Sequence, residues 1–373
     1  MKIKYLYLDD EDIADTESIP KLLESENKEL QIVIKNPLSF ANQIKKFRGN
    51  SIDGLILDLR LDLITNNGEK AEYRAMTLAQ EIRVRATEGT LPDFPIVLCS
   101  TDSRLKKFYN KNLTGQDLFD IKYLKDEDML NESKRVSNEL VSLGKGYKLI
   151  SKFRSQTRSS SLSNFFSLRE NDLKLIDERL LTHSFGTNAQ LPTHEYANFI
   201  LKEIILKQSV LIDENVLLAR LGVSSESKGI GSLLGILSKF SYSGPFHEAW
   251  PRWWWPLINN WWYSLFKNMK GIALLTAKER VETINRKLKL QLKPAVPIQK
   301  QYGSKFWTVC QFYNKPLDPF DGLILDLGYE PLPWQDASYL SLKAALDPKS
   351  KLRAFNISST DKIRFQEYKK LDK

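Results

Sequence analysis

The sequence predicts an α/β protein: a five-stranded doubly wound parallel sheet followed by a mainly helical α+β second domain. Three observations carry that prediction. Over residues 1–140 short apolar runs alternate with helical patterns, the rhythm of a parallel sheet with helices on both faces. Four of those runs end on acidic, hydroxyl or ammonium side chains. A serine-rich, basic stretch then breaks the rhythm, and three- and four-residue apolar spacing takes over.

The elements follow in order. Residues 4–8 read as a strand ending at Asp9 and Asp10, and residues 30–34 as a second strand rich in β-branched side chains. Residues 39–47 have helical spacing, with Phe40, Ile44 and Phe47 on one face and Ser39 as N-cap. A continuous apolar strand at 55–59 is interrupted by Asp58. Residues 76–82 read as helix, 96–99 as a buried strand introduced by Pro95, 121–124 as a short fifth strand and 131–143 as helix. The first domain is therefore set at 1–144, a Ser-rich basic linker at 145–163 and a basic, Trp-rich second module at 164–373.

In that module, helical spacing appears at 171–181, 195–207, 214–221 and 232–240, and a basic helix at 277–290. Trp253, Trp254, Trp255, Trp261 and Trp262 lie close together, with Phe246 and Tyr263 nearby. Strand-like pieces occur at 306–309 and 323–325, and a Pro-rich turn at 330–334. Residues 53–59 and 321–327 repeat Asp-Gly-Leu-Ile-Leu-Asp-Leu. The second copy has no acidic pair upstream and is read as a chance likeness of two buried strands.

Composition sets the outer bounds. The chain has 373 residues, 42% hydrophobic and 27% charged, which is ordinary for a globular protein and excludes disorder. Two cysteines, Cys99 and Cys310, exclude a disulfide framework and point to a reduced, cytoplasmic protein. The N-terminus lacks a signal peptide's apolar length, and no stretch nears the ~18 apolar residues of a membrane span, so no membrane partner is expected. The net charge of +9 is uneven: residues 1–140 carry 21 basic against 25 acidic side chains, and residues 141–373 carry 34 against 21. Such asymmetry suggests two parts with different partners.

Strand ends are where an open parallel sheet binds ligands. Here they hold Asp9 and Asp10, Asp58, Ser100 and Lys125. Converging carboxylates repel one another and favour a hard divalent cation with oxygen ligands, Mg²⁺ above all. With that charge screened, the Asp58 carboxylate can attack phosphorus. Ser100 and Lys125 then supply a hydrogen bond and a positive charge to the phosphoryl oxygens.

This ordered set resembles the signature of response-regulator receiver domains, which have a flavodoxin-like sheet. The matching segments are Tyr-Leu-Asp-Asp-Glu (7–11), Leu-Ile-Leu-Asp-Leu-Arg-Leu (55–61), Pro-Ile-Val-Leu-Cys-Ser-Thr (95–101) and Tyr-Leu-Lys (123–125). The resemblance implies a histidine kinase as phosphodonor. It implies that Asp58 takes the phosphoryl group, and that Asp10, with Asp9 beside it, binds Mg²⁺ together with Asp58 and the backbone carbonyl of Arg60. It also implies that Ser100 and Lys125 meet the phosphate. Three departures stand out: extra residues around 62–73 enlarge a loop beside the site, Asp126 replaces the proline that often follows the lysine, and Lys122 stands where the family has an aromatic, with Tyr123 one place later.

The second module resembles no named output domain, and three readings compete. The leading one is a phospho-regulated protein-interaction output of this basic, Trp-rich module, with Trp and Arg as anchors, although most of the aromatic side chains are themselves read as plain core. The alternative is DNA binding through a helix-turn-helix-like segment near 195–240 centred on Leu-Ala-Arg-Leu-Gly-Val (218–223). Residues 225–237, however, carry Gly229, Gly231 and Gly235 and a single basic side chain, Lys228. A further alternative is an effector enzyme using Cys310 and His247, or a receiver that folds without being phosphorylated and serves as an adaptor. A homodimer is left open.

Overall fold

The computed structural model describes every residue except 1, 50, 63–70, 102–116, 156–161, 185–190, 268–269, 352–354 and 372–373. Two compact units emerge: Met1–Ser167 with Ser184–Lys202 and Ser243–Trp250, and Leu168–His183 with Glu203–Tyr242 and Pro251–Lys373.

The first unit is built on five strands, β1 (Ile3–Leu8), β2 (Leu30–Lys35), β3 (Gly54–Asp58), β4 (Ile96–Ser100) and β5 (Ile121–Leu124). Every pairing is parallel, in the order β2-β1-β3-β4-β5. Side chains alternate between faces with period two. Leu6, Leu8, Leu55, Leu57, Ile96 and Leu98 share one core with Ile44 and Phe47 of α3 (Phe40–Gly49) and Leu78, Ala79 and Ile82 of α4 (Ala75–Thr87). The odd residues of β1 face the other way. Tyr5 donates to the Leu140 carbonyl of α5 (Ser133–Ser155) at 2.8 Å, and Ser137 of α5 donates at 2.7 Å to the Leu23 carbonyl of α2 (Ser18–Glu26), which follows the short α1 (Ile13–Thr16). Helices therefore cover both faces, as the apolar rhythm predicts.

One boundary differs. The helix expected to stop at residue 143 runs through Ser155, so 145–155 is helical; residues 156–161 of the expected linker lie outside the described residues. Its two glycines are close-approach positions. A Cβ on Gly144 would sit 2.5 Å from Ile3, and one on Gly146 would sit 2.3 Å from the Phe246 ring. Buried Arg83 of α4 donates to Asp120, Asp93 and Phe94 O, and the backbone and ring nitrogens of His194 meet Asp93 at 2.8 Å, which fixes the helix Thr193–Asn198 on this unit.

The second unit combines helices with three two-stranded antiparallel sheets, Leu211–Ile212 with Trp253–Trp254, Thr308–Val309 with Pro316–Leu317, and Gly322–Ile324 with Tyr339–Ser341. The repeated Asp-Gly-Leu-Ile-Leu-Asp-Leu thus builds a short antiparallel strand at Gly322–Ile324 and a parallel one at Gly54–Asp58.

The aromatic segment is core. Trp253, Trp255, Trp261 and Trp262 pack with Val216, Leu217, Ile258 and Ile284, and Trp254 is 1% exposed. Their burial agrees with the core reading of most of these side chains and leaves these indoles unavailable as anchors of a partner surface. Buried Arg220 lies over the rings of Trp255 and Trp307 and pairs with Asp336. Among the described residues no helix is long and apolar enough to cross a membrane.

Candidate functional site

Parallel strands put all their carboxyl ends on one edge of the sheet, and that edge gathers the residues singled out from the sequence. Asp9 and Asp10 follow β1, Asp58 closes β3, Ser100 closes β4 and Lys125 follows β5. Registers Leu8↔Leu57, Asp58↔Cys99 and Ser100↔Leu124 set these ends side by side. Carboxylate oxygens of Asp9, Asp10 and Asp58 lie within 4.8 Å of one another, and all three residues are buried. The Lys125 ammonium sits 2.8 Å from Asp9 Oδ2 and 2.8 Å from Asp58 Oδ1. The Arg60 backbone N–H donates to Asp58 Oδ2 at 2.9 Å, and its guanidinium turns to Asp62 at 3.1 Å.

Burial pushes the Asp58 carboxyl up to about 6; Lys125 pulls against this and Asp9 adds to it. Burial also works against the Lys125 charge, but Cys99, Asp58 and Asp9 outweigh it and hold the ammonium well above its ordinary range. Three carboxylates and one ammonium leave a formal charge of −2, which one divalent cation cancels. The donors fit such an ion. All are oxygens, their spacing suits a small hard cation, and Ser100 Oγ is buried with no hydrogen-bond partner among the described residues. The enlarged loop expected at 62–73 lies mostly outside the described residues, which resume at Ala71.

Sequence reasoning missed Tyr7, Cys99, Asn36 and Asp128 as contributors. Tyr7 donates to Asp9 Oδ2 at 2.7 Å, and the Cys99 thiol donates to the Tyr7 oxygen at 3.4 Å. Strand parity was the available signal, since residues 5, 7 and 9 point the same way. Asn36, just past β2, donates its side-chain amide to the backbone carbonyls of Asp9 and Glu11 at 3.0 and 2.9 Å, shaping the acidic turn. Asp128 accepts the Leu124 N–H at 2.8 Å, so a side chain orders the turn after Lys125 where the family often has proline. Tyr123 is buried and donates to Glu139 at 2.6 Å, and Arg135 holds the same carboxylate, so this ring is tied to α5.

Cys310 is buried in the second unit against Ser341, while His247, in the first, approaches the Gly244 carbonyl at 2.8 Å with Nδ1.

No family model and no curated protein matches the chain. Solved structures do. A response regulator receiver domain protein from Clostridium thermocellum is 19% identical, with 38% of this chain and 97% of that one covered at a TM-score of 0.27. The receiver domain of a sensor histidine kinase from Pseudomonas aeruginosa PAO1, crystallised with magnesium in its active-site cleft, is 15% identical over 38% and 98%, TM-score 0.28. The phosphorylated cyanobacterial phytochrome response regulator RcpA is 16% identical over 37% and 89%, TM-score 0.27. The strand order β2-β1-β3-β4-β5, the helices on both faces and the acidic edge together make the N-terminal part of this chain a receiver-type, flavodoxin-like fold.

Proposed function

We propose that this chain is a two-component response regulator whose Asp58 accepts a phosphoryl group from a histidine kinase and thereby controls the second unit. One observation carries the reading: buried Asp58 closes the central strand with Asp9 and Asp10 oxygens within 4.8 Å and the Lys125 ammonium at 2.8 Å. In the transfer, the phosphorus–nitrogen bond to the kinase histidine breaks and a phosphorus–oxygen bond to Asp58 forms. The leaving imidazole keeps the electron pair and takes up a proton. Asp10 and Asp58, with the Arg60 carbonyl, would hold Mg²⁺, which when bound supplies charge neutralisation to the phosphoryl oxygens. Asp9 holds Lys125 in place, Lys125 shifts its pairing from Asp58 to a phosphoryl oxygen, and Ser100 Oγ donates to another. Such a protein works in a reducing cytoplasm, which suits two free cysteines.

The test is incubation with Mg²⁺ and acetyl phosphate followed by intact mass. Wild type gains one phosphoryl group and Asp58→Asn gains none. No gain in wild type, or the same gain in Asp58→Asn, overturns the reading.

A further inference from the structure

The second unit carries a concentrated set of cations that neither the acidic edge nor the aromatic core uses. Helix Ala277–Leu288 ends at Lys289, whose backbone is left-handed with φ 57°. From there the chain folds back. The Asn285 side chain clamps it, donating to the Leu292 carbonyl and accepting the Leu292 N–H at 2.9 and 3.0 Å. The turn that follows Val223 closes on the same piece. Ser224 N donates to Lys293 O at 2.9 Å, Lys293 N donates to Ser227 Oγ at 2.9 Å, and a Cβ on Gly229 would lie 3.1 Å from Gln291 N. Two stretches distant in sequence, 224–229 and 285–293, are thus one lobe.

This lobe exposes Lys228, Arg286, Lys287, Lys289 and Lys293 against a single carboxylate, Glu226. Among the described residues none of the five is ion-paired. A helix C-terminus stabilises nearby cations, which accounts for Arg286 and Lys287. It does not account for Lys289, Lys293 and Lys228, which lie beyond the helix.

We infer that this lobe binds the phosphate backbone of nucleic acid without reading sequence. Five unpaired cations on one small surface suit a polyanion with closely spaced charges. No large apolar side chain of 224–229 or 286–293 is exposed, so the lobe lacks the apolar face that embeds in a membrane. Lysine is depleted at the centres of protein interfaces, which disfavours a protein partner here. Base reading would need polar side chains on a helix entering a groove. The neighbouring helix Ile230–Leu237 offers only Ser232 and otherwise apolar residues and glycine, with Leu233 and Leu237 buried.

The experiment titrates the full chain against a labelled DNA duplex of arbitrary sequence over a range of salt, beside anionic lipid vesicles and polyglutamate. Wild type is expected to bind duplex with log affinity falling linearly with log salt. The triple variant Lys287→Glu, Lys289→Glu, Lys293→Glu should lose at least ~10-fold at low salt, and its salt slope should be shallower by about 3, near one per phosphate contact removed. The same charge change at Lys362, Lys369 and Lys370 should leave affinity within about 2-fold, the behaviour of cations outside the contact. If the triple charge reversal fails to fold by circular dichroism, Lys→Gln at the same three positions replaces it, with the same direction expected. No duplex binding at low salt, binding to vesicles or polyglutamate in place of duplex, or equal losses in both triple variants would overturn the inference.

Discussion

Tyr7 of β1 donates its phenol hydroxyl at 2.7 Å to Asp9, the residue that follows the strand, so one acid of the candidate metal site is oriented by the sheet it leaves. Asp9 Oδ2 also receives Lys125, and its Oδ1 receives the Glu11 N–H. Tyr7→Phe removes one donor from a buried carboxylate and the acceptor of the weaker Cys99 thiol bond. The expected cost is about 1.5–3 kcal/mol of folding stability, the scale of a hydrogen bond to a charged group. Urea unfolding would register it as a lower midpoint with unchanged slope; an unchanged midpoint would show that the phenol does no orienting.

Lys125 is the cation that keeps the acidic edge together in the absence of a metal. Replacing it by Met leaves three buried carboxylates facing one another, and removing one partner of a buried pair costs about 3–5 kcal/mol. A divalent ion can take over part of that neutralisation. In EDTA, Lys125→Met should be strongly destabilised, and millimolar Mg²⁺ should recover more stability in the variant than in wild type. Equal responses to Mg²⁺ would show that ammonium and metal do not share the site's charge.

Much of this was legible because strand ends are a sequence-level feature. An apolar run that stops at Asp58, or one that stops at Ser100, names both the strand and the edge it reaches. The full length of α5 was not legible, because the serine-rich, basic stretch reads as beginning at Lys145, and the close approach of Ile3 and Phe246 to Gly144 and Gly146 shows only in the packing. Tryptophans 253–255 read mostly as core, and packing shows which apolar side chains they cover. Asn36 acts on Asp9 through backbone carbonyls across two neighbouring strands, a relation that depends on sheet order and leaves no local pattern.

Two glycines in helices should respond to alanine with opposite sign. Gly235 lies in helix Ile230–Leu237 with open space around its missing Cβ, so Gly235→Ala should gain up to about 1 kcal/mol from helix propensity. Gly146→Ala has the same local gain but drives a methyl into the buried Phe246 ring, whose backbone already holds a positive φ of 69°. Overpacking of this kind costs typically about 1–3 kcal/mol, so the net effect should be destabilising. Thermal midpoints of the pair decide it, and a rise for both would remove the case for close approach at Gly146.

Asp93 gives the first unit a pH dependence of known sign. Burial raises its pKa, but the hydrogen bond from His194 and the charge of Arg83 outweigh burial and leave the carboxyl below its ordinary range. A carboxylate depressed in the folded state binds fewer protons there than in the unfolded chain, so stability rises with pH through that window. The contribution is complete above the unfolded value of about 3.9 and is lost as pH falls through the lower folded value. Asp93→Asn should therefore destabilise the protein at neutral pH, with the gap to wild type closing as pH is taken well below 4. Urea midpoints across that range test it, and a gap that stays constant with pH would show that the Arg83–Asp93–His194 contact contributes through packing and not through charge.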